Sequence, residues 1–415
     1  MEVKMKKAVM YGAGNIGRGF VGMLFSQSGY EVVFVDINPV VIDRMNEEHR
    51  YPVRIVGEEK YREEIVENVR AVNASNKDIV AEEIAGADIM ATAVGVGVLP
   101  RIAAPIALGL RKRWERGNFN PLNIIICENL LGADGFLRKL IKQELDGQEA
   151  AYFDEKVGLV EASIGRMVPV MTPEMQEGNP LRVWVEPYCE LPVDKAGFKG
   201  EIPQIKNMVP FEPFDFYIQR KLFMHNMGHA ATAYLGFLDG KTYIWEAVRN
   251  PFIKLAVLRA LQESAVAMSQ EHGAELKNLL EHAEDLLYRF GNRLLGDTVE
   301  RVGRDPIRKL SSNDRLTGAA KLCAKQGILP VYISLGIAAG FLFAPAGDEA
   351  AADIREFIGC KGIEAAIREF CGLDGTDGIS RNVRGFYGMF EKGSSLQEVL
   401  EKAEKIKRGH EWVIS

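Results

Sequence analysis

The chain has 415 residues, 47% of them hydrophobic and 26% charged. That is enough for two or three domains with large cores, and it excludes a mainly disordered, collagen-like or disulfide-stapled chain. Its 51 Lys and Arg against 57 Asp and Glu leave a net charge of −6, so neither a nucleic-acid coat nor a polybasic membrane binder is expected.

The apolar run that ends at Gly12 is too short for a signal-peptide core. Ala8–Tyr11 reads as a strand ending in a glycine turn, and Ile16–Ser28 as a helix with Phe20, Val21 and Leu24 on one side. Val32–Val35 is a second strand, ending in Asp36, and Pro39 suits the first turn of a further helix. Val53–Val56 reads as an extra strand before a charged stretch, Glu58–Glu67. Ile89–Val94, Asn123–Cys127 and Gly158–Ala162 are buried-strand candidates, with a helix over Leu99–Trp114. Strands separated by helices predict an α/β fold, a doubly wound parallel sheet of Rossmann type. The proline-dotted stretch Glu190–Pro213 reads as an irregular connection. Helical periodicity then dominates from Phe214, most clearly over Trp245–Met268, His272–Tyr288 and Leu396–Lys407. Gly327–Gly347 has no charge over 21 positions. Its length would suffice for a membrane, but Pro330, Pro345 and four glycines favour a buried core helix. The expected organisation is a nucleotide-binding domain over residues 1–195 and a mainly α-helical substrate and catalytic domain over 196–415, with the active site in the cleft between them.

Cys127, Cys189, Cys323, Cys360 and Cys371 form no CxxC pair. They read as free thiols of a cytoplasmic protein, and no metal is expected.

Gly12-Ala13-Gly14-Asn15-Ile16-Gly17 fits GxGxxG between a strand and a helix. In such a turn the first glycine allows the tight bend, the second lets the backbone approach a pyrophosphate, and the third lets the helix pack on the sheet. The helix N-terminus offers free N–H groups to the phosphates. Asp36 lies 19 residues past Gly17, at the end of the next strand. A carboxylate there can accept from ribose hydroxyls and would repel a 2′-phosphate. No Lys or Arg follows in Asp36-Ile37-Asn38-Pro39, which favours NAD over NADP.

Lys221-Leu-Phe-Met-His225-Asn226-Met-Gly-His229 is the richest segment of the second half. On an α-helix Asn226 would lie about 140° and His229 about 80° from Lys221, within one broad face. A desolvated lysine could take an alcohol proton, an amide could donate to the developing alkoxide, and a histidine could bind a substrate hydroxyl. By itself such a helix is ordinarily a partly exposed face, and His225 is read that way.

Six segments lie in the order found in one family: Gly12–Phe20 (GAGNIGRGF), Asp36-Ile37-Asn38, Cys127-Glu128-Asn129, Val185-Glu186-Pro187, Arg220–Ala230 (RKLFMHNMGHA) and Arg304–Leu310 (RDPIRKL). The chain resembles the polyol-specific long-chain dehydrogenases over most of its length. The resemblance implies zinc-independent chemistry, with Lys221 as general acid/base, Asn226 as an oxyanion-stabilising amide, His229 as a substrate-binding residue and Asn129 as a second amide near the reacting carbonyl. It also shows a departure, because the family's Asp-Arg-Ile-Val-Pro stands here as Gly165-Arg166-Met167-Val168-Pro169.

Arg293–Lys321 holds seven basic residues (Arg293, Arg301, Arg304, Arg308, Lys309, Arg315 and Lys321) against four acids. Arginine forks match phosphate oxygens, so Arg304, Arg308 and Lys309 are expected to bind a sugar phosphate. A salt-bridged helix end is the plain alternative. The expected reaction is NAD-linked, metal-independent interconversion of mannitol 1-phosphate and fructose 6-phosphate. Another polyol, polyol phosphate or uronate would keep the same lysine chemistry, and an inactive NAD-binding regulatory protein would keep only the nucleotide site. The partner is a small sugar or polyol phosphate, not nucleic acid or a membrane. With no evident heptad seam, a monomer or weak homo-oligomer is expected.

Overall fold

A computed structural model describes residues 5–58 and 60–409. The chain divides into two compact units between Tyr217 and Ile218.

The first unit is built on strands β1 (Lys6–Tyr11), β2 (Tyr30–Asp36), β3 (Arg50–Val56), β4 (Tyr61–Glu67), β5 (Val69–Asn73), β6 (Ile89–Thr92), β7 (Leu122–Ile126) and β8 (Val157–Glu161). Three shorter strands follow, β9 (Val183–Val185), β10 (Leu191–Asp194) and β11 (Met208–Phe211). Six strands form one parallel sheet in the order β5-β2-β1-β6-β7-β8. This is the doubly wound order expected from the alternating pattern. Both faces of β1 are buried, Ala8 and Met10 in one core and Val9 and Tyr11 in the other. That burial explains why the central strands read as unbroken apolar runs.

Three local expectations need correction. The helix after the glycine turn opens as a π turn, Gly17–Gly22, and becomes α-helical only over Met23–Gln27. The charged stretch after β3 is itself strand β4, paired antiparallel to β3, while β9 pairs with β3 on the other side. On β4 only Val66 is buried, so this edge strand carries charge without cost and hides its period. The proline-dotted connection contains β10 and β11, which pair in parallel.

The second unit is helical. The expected helix Trp245–Met268 is two helices, Ile244–Arg249 and Pro251–His272. Asn250 is extended and its side chain accepts from the Phe252 amide, so Asn250-Pro251 ends one helix and starts the next. The next helix runs Leu276–Phe290, and Leu396–Lys407 is helical as expected, opened by a Ser395–Glu398 capping box. Within Gly327–Gly347 the helix spans Val331–Phe341, and every residue of it is buried. No helix among the described residues is long and apolar enough to cross a membrane.

The N-terminus of that core helix is closed by a buried carboxylate. Glu263 accepts from the amides of Val331, Tyr332 and Ile333 at 3.0–3.1 Å and from Lys407 Nζ at 3.1 Å. Burial pushes its pKa up, and the Lys407 charge and these amides oppose the shift. Glu263→Ala strands three amides and removes the carboxylate partner of Lys407, and should destabilise the protein by about 3 kcal/mol in urea unfolding.

Candidate active site

In the first unit the candidate residues gather at the carboxyl ends of the parallel strands. Gly12 has φ 103°, and its amide donates to the Val35 carbonyl at 2.8 Å. A Cβ there would come 2.5 Å from the Ala93 carbonyl oxygen, and one at Gly17 would collide with the Gly12 carbonyl. Both positions demand glycine for the turn itself. A Cβ at Gly14 would meet nothing within 4 Å, so this is where the backbone lies open to a ligand. Asn15 Nδ2 donates to the Pro169 carbonyl at 3.1 Å, and Ile16 packs against the core. Asp36 ties the turn to β2. Its Oδ2 accepts from the Ala13 amide at 2.7 Å, and its Oδ1 from the amides of Ile37 and Asn38 at 2.8 and 2.9 Å. A carboxylate offers about four acceptor sites, so Asp36 keeps capacity for a hydroxyl donor. Arg18, buried directly behind the turn, donates to the carbonyls of Ala13 and Pro180. The set fits a dinucleotide: open glycine backbone for the pyrophosphate and an acidic acceptor for the ribose.

Asn129 is exposed just beyond β7. Its neighbour Glu128, which sequence reasoning passed over, is buried. Glu128 accepts from Thr92 Oγ1 at 2.7 Å and the Val94 amide at 2.9 Å, joining the ends of β6 and β7. Burial raises its pKa against these bonds. Only the quoted Cys127-Glu128-Asn129 run could have pointed to it. Arg166 is buried and donates twice to the Glu186 carbonyl and once to that of Gly19.

In the second unit Lys221, Asn226 and His229 lie on one continuous helical stretch, but it is not α-helical throughout. Residues Asp215–Arg220 are α, Lys221–Asn226 form a π turn, and the α-helix resumes over Met227–Leu238. In a π turn, closed by i→i+5 bonds at roughly 4.4 residues per turn, five residues make slightly more than one turn. Lys221 and Asn226 therefore stack more closely than the 140° expected of an α-helix. His229 stacks on Phe290, with ring centroids 4.9 Å apart and planes 9° apart. Its Nε2 lies 3.5 Å from Asp297 Oδ2, within ion-pair range, yet has no hydrogen-bond partner among the described residues. Burial lowers its pKa to about 4, although Asp297 opposes this. His225 is buried edge-on to both His229 and Phe290. Burial holds it well below the usual imidazole range, helped by the charges of Arg289, His229 and Lys221. Both rings are therefore neutral at pH 7. Asp297 carries no local motif, and the sequence held no signal for its place beside His229.

The basic segment is held by Tyr234 donating to the Gly303 carbonyl and Thr317 donating to that of Leu310. Lys309 is buried, and burial together with Arg315 and Arg308 lowers its pKa to about 7. Arg308 Nε donates to Asp305 Oδ2 at 2.9 Å, and Arg315 Nε to Asp314 Oδ1 at 2.7 Å. Arg304 is exposed. Arg301 pairs with Asp297, and Lys321 with Ser312 and the Gly372 carbonyl. The structure thus groups Arg308, Lys309 and Arg315.

The sequence profile of the mannitol dehydrogenase Rossmann domain matches residues 6–207, and that of the mannitol dehydrogenase C-terminal domain matches residues 214–368. The chain belongs to the mannitol dehydrogenase family. Membership makes it a polyol dehydrogenase. It is 40% identical over 363 residues to mannitol-1-phosphate 5-dehydrogenase of Caldanaerobacter subterraneus subsp. tengcongensis, covering 88% of this chain and 93% of that one. It is 37% identical over 404 residues to the protein of the same name from Thermoanaerobacter pseudethanolicus, covering 97% and 98%. Among solved structures, a substrate-free D-sorbitol dehydrogenase superposes with a TM-score of 0.79 at 15% identity, over 94% of this chain and 95% of that one. Pseudomonas fluorescens mannitol 2-dehydrogenase, solved with NAD and D-mannitol, gives 0.73 at 14% identity, over 97% and 95%. At these identities the two structures speak for the fold of the family.

The neutral histidines have a measurable consequence. The unfolded chain protonates each near its ordinary value of about 6.5, while the folded protein resists down to about pH 4 at His229 and lower still than the ordinary value at His225. Unfolding therefore takes up protons, and stability falls as pH drops below about 6.5. His229 alone adds a slope of roughly 1 kcal/mol per pH unit near pH 5, and His225 and the buried His282, lowered to about 3, act in the same sense. Urea titrations at pH 7, 6 and 5 should show it, and His229→Asn should reduce the slope by roughly 1 kcal/mol per pH unit.

Proposed function

We propose that the chain interconverts mannitol 1-phosphate and fructose 6-phosphate with NAD, using Lys221 as its general acid/base. The observation that carries this reading is the single helical stretch holding Lys221, Asn226 and His229, its π turn stacking the first two and the third keeping an unsatisfied buried Nε2. The relatives at 37–41% identity that are named mannitol-1-phosphate 5-dehydrogenase support the phosphorylated substrate.

The open glycine turn at Gly12, Gly14 and Gly17, with Asn15, Ile16 and Asp36, would hold the dinucleotide, and the acid at Asp36 favours NAD over NADP. When bound, the nicotinamide accepts a hydride in oxidation and gives one in reduction. The chain's own groups manage the proton and the charge. In oxidation the neutral amine of Lys221 takes the hydroxyl proton, while the Asn226 amide donates to the oxygen as it gains charge. Asn129 would serve as the second amide donor that the family resemblance implies. In reduction, protonated Lys221 returns the proton. His229 meets a substrate hydroxyl through Nε2, and as a neutral ring it adds no charge that would compete with Lys221.

Arg308, Lys309 and Arg304 would receive the phosphate, with Arg315 beside them. A dianion would draw Arg308 and Arg315 from their carboxylates and return Lys309 to its charged form, so binding and protonation are linked.

The deciding assay is NADH oxidation at neutral pH with fructose 6-phosphate and, in parallel, fructose. Turnover confined to the phosphate is expected; turnover with fructose alone would keep the lysine chemistry and discard the phosphate pocket. Lys221→Ala should lose about 10²–10⁴-fold in turnover while still binding NADH, and a near-normal rate would refute its role. Arg308→Ala should raise the KM for fructose 6-phosphate about tenfold with little change in kcat.

A further inference from the structure

The π turn at Lys221–Asn226 is held from outside. The amide of Met227 donates to the carbonyls of Leu222 and Met224 and passes over that of Phe223, which would be its partner in an α-helix. The Phe223 carbonyl instead accepts from Ser264 Oγ at 2.7 Å. Ser264 is 1% exposed and lies in the helix Pro251–His272. The Phe223 side chain is held as well, because a Cβ at Gly318 would come 2.7 Å from its ring. Phe223 is thus anchored by its carbonyl to one helix and by its ring to another, midway between Lys221 and Asn226.

We propose that Ser264 is a positioning residue for the reaction: its hydroxyl holds the π turn and thereby sets the register that stacks Lys221 on Asn226. The proposal rests on Lys221 being the acid/base. Without the hydroxyl, the Phe223 carbonyl is left to the Met227 amide. The turn can then relax toward an α-helix, which would swing Asn226 away from Lys221. Ser264 touches no reacting atom and acts through the backbone of Phe223.

The test compares Ser264→Ala with Ser334→Ala in the full-length protein. Ser334 Oγ also donates to a carbonyl, that of Pro330, at 2.6 Å, and Ser334 is fully buried in the core helix Val331–Phe341. Both variants lose one buried hydroxyl–carbonyl bond, so both should lose similar stability. Ser264→Ala alone should lower kcat about tenfold, move the pH midpoint of kcat and leave the KM for NADH unchanged. Amide hydrogen exchange at Met227 and Gly228 should also shift about fivefold in Ser264→Ala, slowing at Met227 as its amide takes the Phe223 carbonyl, and not in Ser334→Ala. A Ser264→Ala enzyme with wild-type kcat and pH midpoint would overturn the proposal, as would unchanged exchange at those amides. If the wild type turned over neither sugar, that would overturn the functional reading, and the exchange measurement, which needs no turnover, would still decide whether Ser264 holds the turn.

Discussion

A backbone carbonyl displaced from the α register has to find another donor, and this requirement shapes both segments proposed to carry the chemistry. A π turn displaces carbonyls from that register. The turn behind the glycine loop meets the requirement with Tyr51, whose hydroxyl donates to the Arg18 carbonyl at 2.8 Å, and with Arg166, which donates to that of Gly19 at 3.0 Å. The turn at Lys221 meets it with Ser264. All three donors are buried. Each unit therefore holds an irregular turn by reaching into its own core, and the functional backbone is only as well placed as those donors. This explains why a serine and a tyrosine with no chemistry of their own sit next to residues that have it.

The requirement also explains what could be read from the sequence and what could not. The central strands were legible because burial on both faces leaves only apolar residues, as in Val32–Val35. The glycine turn was legible because Gly12 and Gly17 have no substitute. Strand β4 was not, since an edge strand in water tolerates Arg62, Glu63 and Glu64 as readily as a loop does. The break at Asn250-Pro251 left a recognisable Asn-Pro signal, but the flanking helical periodicity outweighed it. The π turn left none: Lys221–Asn226 contains neither glycine nor proline, and its geometry is imposed by Ser264 and Gly318, far away in sequence. For the same reason Lys221, Asn226 and His229 could be singled out by residue type and family resemblance while their angular relation could not.

Electrostatics divides the second unit into a neutral part and a charged part. Burial keeps His225 and His229 uncharged beside Lys221, so the lysine does not face two further cations at neutral pH. The basic segment behaves differently, because Asp305 and Asp314 hold Arg308 and Arg315 through side-chain bonds. These acids keep two guanidinium groups from repelling each other across Lys309, and they fix the forks before any ligand arrives. In the proposed reading a phosphate would have to compete with them, which would lower affinity but sharpen discrimination, since a dianion can replace a carboxylate and a neutral hydroxyl cannot. Arg301 and Asp297 use the same device nearer the histidine.

The glycine at 165 can be weighed against this background. Where the family carries Asp before Arg-Ile-Val-Pro, a carboxylate could serve as partner to the neighbouring arginine. Here Arg166 does not depend on one. Its three hydrogen bonds go to main-chain carbonyls, those of Glu186 and Gly19, and its guanidinium lies 5.5 Å over the Phe20 ring. The Glu186 carboxylate turns instead to the Met167 amide. A Cβ at Gly165 would come 3.3 Å from the ring of the half-buried Tyr188, so a side chain there would need that ring to shift by a few tenths of an ångström. The loss of the acid is therefore accommodated locally, with Arg166 still bracing the turn behind the nucleotide loop. That is the pattern of a compensated substitution rather than of a decaying site, and it favours an active dehydrogenase over a protein that only binds nucleotide.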